Sequence, residues 1–207
     1  MQEFKSYLEI AYFISGIIVA IAAIAALYQI KVAKDTLKIQ SQREALSLTA
    51  NQCQYYSDKI IKLSNCVYDR REKLNCDYFE PENWKVDTDG LDIKLECKIE
   101  KPVNLEVWAQ ASELLNALDG FAIFFVSGIA DESVAYKAIS SSYISISERY
   151  MSLAIKAKEH DGYYAAHLEL YVLWKNRKKQ EQLKLKVSDL NKEINKNVVN
   201  KKNVIGV

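Results

Sequence analysis

The chain has 207 residues, a formal net charge of +1, six glycines, two prolines and four cysteines. Its near-neutral charge sets no preference for nucleic acid or any other charged partner, and the length leaves room for one ordinary domain beside a membrane segment. Scarce glycine and proline favour helices over sheet, and Cys53, Cys66, Cys76 and Cys97 lack the spacing of a disulfide framework or a zinc site.

The first predicted element is the uncharged run Ile10–Tyr28, IAYFISGIIVAIAAIAALY. At ~1.5 Å per residue its nineteen residues span about 29 Å, close to a hydrocarbon core of roughly 30 Å. Tyr12 and Tyr28 stand where interfacial aromatics belong. A buried core helix is one competing reading, but core helices are usually shorter and keep a polar face. A cleaved signal peptide is another, but MQEFKSYLE carries two acids and no short polar cleavage region follows the run. The pattern therefore predicts a short extracytoplasmic N-terminus over 1–9 and a transmembrane helix over 10–28. Lys31, Lys34, Lys38 and Arg43 follow the run, so the excess of basic residues places the rest of the chain in the cytosol. Within the run, Gly16 and Ala20, and Ala22 and Ala26, are four apart. Small residues at that spacing let helices approach closely in lipid, which makes these four the candidate packing residues of a homo-oligomer. The alternative is a generic Ala-rich span in a monomer. One uncharged helix conducts nothing, whereas several side by side can surround a path.

Neither Gly nor Pro occurs between Gly16 and Pro81, so the span can continue into a cytosolic helix from Gln29 to about Cys76. The polar patch Ser47–Gln52 is the expected break, and Tyr56, Ile60, Leu63 and Val67 mark one apolar face. Over 84–99 the period changes to two. Ile93, Leu95, Cys97 and Ile99 alternate with charges, and Asp89-Gly90 is a hairpin turn signal, which predicts a small β-hairpin insertion or, failing that, an irregular loop. From Pro102 the helical period returns, with a stripe of Leu105, Trp108, Ala109, Leu115, Leu118, Ala122 and Phe125 ended by Gly128. Asp131 caps a helix running through Val134, Ala138, Ile144, Met151 and Ala154 and closed by Asp161-Gly162. A last helix begins near Tyr163 and buries Ala165, Leu168 and Val172. The ten-residue run Phe121–Ala130 is too short to cross a bilayer and reads as core. The fold class is mostly α: a transmembrane helix continuing into a cytosolic antiparallel four-helix bundle over 29–182, then a basic, partly disordered tail over 183–207.

No motif for phosphate, dinucleotide, serine-hydrolase or zinc-protease chemistry is present. With two histidines, acid–base chemistry has few options. Glu113, Asp119 and Glu148 follow no catalytic spacing, so no catalytic residue, metal ligand or cofactor site is assigned and the protein reads as a non-enzyme. From Lys175 onward ten basic residues face three acidic ones. Lys175, Arg177, Lys178, Lys179, Lys184 and Lys186 could meet anionic lipid headgroups or nucleic-acid phosphates, or simply form a solvated helix end before a frayed tail.

The stretch Leu115-Asn116-Ala117-Leu118-Asp119-Gly120-Phe121-Ala122, followed by Gly128-Ile129-Ala130-Asp131-Glu132, resembles a family of uncharacterised bacterial membrane proteins. Those proteins share one N-terminal span, a basic flank and a cytosolic helical domain. Asp119 here stands at their acidic position, with the usual aromatic displaced to Phe121. More loosely, the layout is similar to the membrane accessory protein of type VI-B CRISPR systems, whose single spans gather into a pore. That family's Arg/His nuclease-like motif has no counterpart here, since Arg149 precedes His160 by eleven positions. The resemblance implies an antiphage effector in a bacterial inner membrane. A tethered adaptor for a protein partner and a nucleic-acid tether are the alternatives.

Overall fold

The structure, a computed structural model, describes residues 2–79, 83–89, 92–97 and 104–196. Helix α1 covers Gln2–Tyr55, a π-helical turn covers Tyr56–Ile60, and α2 covers Ile61–Lys73. Strands β1 (Trp84–Asp89) and β2 (Asp92–Cys97) precede α3 (Leu105–Val126), α4 (Glu132–Asp161) and α5 (Ala165–Lys196). The chain divides into two compact units, residues 1–47 and 48–207.

The first unit is a single helix. Its described side chains from Phe4 to Glu44 are exposed, including Ile17, Ile21, Ile24 and Leu27. It contains the one helical stretch among the described residues that is long and apolar enough to cross a bilayer. Helical hydrogen bonding continues through Ser47–Gln52, so the expected break does not occur there. The polar side chains of that patch are no bar to helix, because they either face solvent or find partners. Thr49, for one, is buried and accepts the Asp131 N–H at 2.7 Å. The irregularity comes later, as the π turn, which tucks Tyr56 and Ile60 into the core.

The second unit is a helical bundle. Helix α3 lies at its centre and packs against α2, α4 and α5. Its buried face is Val107, Ala111, Leu114, Leu118, Phe121 and Phe125, spaced by four and three, with Leu115 and Ala122 alongside. That phase corrects the expected stripe. Leu105 is 84% exposed and Trp108 38%, and Ala109 is exposed too, because all three fall off the face that Val107 and Ala111 define. The same correction holds for the first turns of α4, where Val134 and Ala138 are exposed while Ala135 and Tyr136 are buried. Ile144, Met151 and Ala154 are core, as are Leu168 and Val172, whereas Ala165 is exposed. Phe121 and Phe125 are buried in the bundle, with ring centroids 4.8 Å apart.

Caps explain where the helices begin and end. Asn104 accepts the Glu106 N–H at 2.9 Å at the start of α3. Gly128, at φ +72°, donates to the Phe125 carbonyl, and Ala130 N–H donates to the Phe124 carbonyl, closing α3. Asp131 accepts the Val134 N–H at 3.1 Å and opens α4. Gly162, at φ +73°, donates to the Lys158 carbonyl and closes it.

β1 and β2 pair antiparallel from Trp84↔Cys97 to Asp89↔Asp92. The Asp89-Gly90 turn signal extends outside the described residues, as does the rest of the predicted insertion after Cys97. At the base of β1, the Trp84 indole N–H donates to the Tyr78 carbonyl. Lys156 of α4 lies 5.3 Å from the Trp84 ring and donates to the Tyr78 hydroxyl at 3.0 Å.

Candidate functional site

Three places carry the chemistry of this chain: the exposed apolar helix, the basic face of α5, and a polar cluster sealed in the bundle.

On the apolar helix, Gly16, Ala20, Ala22 and Ala26 are all exposed, and a Cβ added at Gly16 would meet nothing within 4 Å. At ~100° per residue, Gly16 and Ala20 share one face, and Ala22 and Ala26 share another roughly 120° away. The four therefore form two small-residue faces. Ser15 is the only residue between Phe13 and Leu27 whose side chain can hydrogen-bond. Its hydroxyl donates to the Tyr12 carbonyl at 2.7 Å, so that proton is satisfied without water.

The basic residues of α5 separate into two groups. Those nearest the bundle are engaged by α4. Lys175 pairs with Glu148, Arg177 donates to Glu132 at 2.7 Å and lies 4.6 Å over the Tyr136 ring, and Lys178 donates to Ser141 at 3.2 Å. Lys175 and Lys178 line an open α4–α5 groove of about 310 Å³ together with Ser145 and Gln182, and much of the charge of Lys175 and Arg177 is met by Glu148 and Glu132. Lys179, Lys184 and Lys186 are exposed. The segment expected as tail is helix as far as Lys196, and residues 197–207 lie outside the described region.

The sealed cluster was not legible in the sequence. Asp119 of α3 accepts the His167 backbone N–H at 2.9 Å. The Tyr143 hydroxyl of α4 lies 2.7 Å from His167 Nδ1 and 3.3 Å from the His167 carbonyl. Both rings are fully buried, and His167 Nε2 has no hydrogen-bond partner. Assigning the imidazole proton to Nδ1 satisfies the most groups: Nδ1–H donates to Tyr143, Tyr143 donates to the carbonyl, and only an acceptor is left over. Burial pushes the His167 pKa down to about 3 and holds Tyr143 well above its ordinary value. A neutral imidazole shut away from solvent orders the start of α5 and offers nothing to a substrate.

Among the described residues no group of three His, Cys, Asp or Glu side chains gathers as a metal site, and Cys53, Cys66 and Cys76 are free thiols. No family model matches the chain, nor does any curated protein or solved structure.

Proposed function

We propose that this protein is a single-pass membrane protein of the bacterial inner membrane, with its N-terminus outside and its bundle in the cytosol, and that it acts as a homo-oligomer that perturbs or permeabilises the bilayer, in antiphage defence. The observation that carries this reading is the exposure of every described side chain of the apolar run Ile10–Tyr28 in a chain whose second unit has a buried core of its own. An apolar helix of that length is stable when lipid covers it. The basic flank Lys31, Lys34, Lys38 and Arg43 supports the orientation, and the two small-residue faces support association between spans. The layout resembling membrane effectors of bacterial defence supports the biological role.

The test has two parts. The protein should stay in the membrane pellet after alkaline extraction, and its induced expression during phage infection should collapse the signal of a membrane-potential dye. Recovery in the soluble fraction would overturn the anchoring, and unchanged polarisation in protein-positive infected cells would overturn the effector role. The exposed outer half of α5 favours a second reading, a tethered adaptor that binds a different protein. Purification in detergent as a monomer bound to another protein, in place of a defined ring of copies, would select it.

A further inference from the structure

Beyond Gln182, α5 is an amphipathic helix whose side chains meet no other element among the described residues. Every described side chain from Lys179 to Ile194 is exposed. A helix of this length without tertiary packing is marginal in water. Along it, Leu183, Val187, Leu190 and Ile194 recur at spacings of four, three and four, and they are 52% to 63% exposed. At ~100° per residue these four fall within about 60°, the narrow seam of a coiled coil and not the face of 100° or more that a helix lying on lipid uses. Lys186 and Glu193 flank the seam on one edge, Lys184 and Asn191 on the other.

We propose that Leu183–Ile194 pairs antiparallel with the same segment of a second copy of this chain. The charges choose both partner and direction. With the helices antiparallel, Leu183 faces Ile194 of the second copy and Val187 faces its Leu190, so Lys186 lies beside Glu193 of the second copy, twice by symmetry. A parallel pair would instead set Lys179 against Lys184 of the second copy and leave Lys186 beside Asn191. Asp189 and Glu193 offset Lys184, Lys186 and Lys192, so the segment has little net charge with which to hold an anionic bilayer. Four layers make a small seam. Its strength rests on the proposed anchoring, because tethering copies to one membrane raises their effective concentration.

The test uses the full chain in membranes. Two tagged copies are co-expressed, one carrying Leu183→Cys and the other Ile194→Cys, then oxidised, and the linked peptides are identified by mass spectrometry. A 183–194 link between copies is expected, with neither variant linking to itself. Self-links at 183 or 194 would overturn the antiparallel pairing. The absence of any link, with a probe at position 183 quenched by nitroxide lipids, would overturn the pairing in favour of a bilayer-lying helix. Lys186→Glu should lower the yield of the 183–194 link about threefold or more, and adding Glu193→Lys should restore it. Loss without restoration would overturn the charge pairing. Alkaline extraction reads the anchoring separately, so failure of the seam and failure of the anchor are distinguishable.

Discussion

At the scale of single residues, the sealed imidazole gives the sharpest predictions. His167 is neutral when folded because burial holds its pKa near 3, while in the unfolded chain it titrates near 6.5. Between these values the unfolded state binds the extra proton, so stability is full above about 6.5 and falls as the pH drops towards 3, by up to about 1.4 kcal/mol per pH unit. The Asp131 carboxyl is held below its ordinary value chiefly by the Ser133 hydroxyl and then by the Val134 N–H. Urea unfolding in detergent between pH 7.5 and 4.5 should show the slope, and His167→Gln should flatten it. A slope unchanged in that variant would assign it to another group. Tyr143→Phe strands the imidazole N–H and should cost about 1–3 kcal/mol in the same measurement. Neither partner was legible beforehand. Asp119 and Tyr143 are far from His167 in sequence, and no local spacing reports a bond that the packing of three helices creates.

At the scale of elements, the boundaries read well and the faces less so. Asp131 and Gly162 announce their roles through capping chemistry, and the structure uses both. Asp131→Ala should lower stability by about 1 kcal/mol, read as a drop in melting temperature. Gly162→Ala should also destabilise, because a Cβ is disfavoured at φ +73°. Hydropathy alone assigns Leu105 and Trp108 to the core of α3, because both are apolar. What excludes them is their angle from Val107 and Ala111, which only the neighbouring helices settle. Phe121 is the element's anchor. It is fully buried and touches the rings of Tyr56, Phe125, Tyr143 and Trp174. Phe121→Ala should cost about 3–5 kcal/mol, enough to abolish cooperative unfolding of a marginal bundle. Retention of a near-native melting temperature would show that the aromatic cluster is not the bundle's keystone.

At the scale of the whole molecule, the two units differ in what they bury. The second unit buries a core of its own, whereas the described side chains from Phe4 to Glu44 in the helix before it are all exposed, a contrast that the uncharged run in the sequence already signals. Replacing Ile17 and Ile21 with Asp should release the protein from alkaline-extracted membranes, since each charge at mid-bilayer costs about 3 kcal/mol by insertion scales. Continued pelleting would mean that something other than the apolar run holds the protein there. Ser15 carries a further consequence. With its one proton already given to the Tyr12 carbonyl and no other polar side chain from Phe13 to Leu27, this stretch has no free side-chain donor and a single side-chain acceptor, the Ser15 oxygen. In the proposed assembly, identical neighbours would tell it from any other greasy rod mainly by contour, through the hollows at Gly16 and the alanines, so a methyl added there should matter more than any polarity removed.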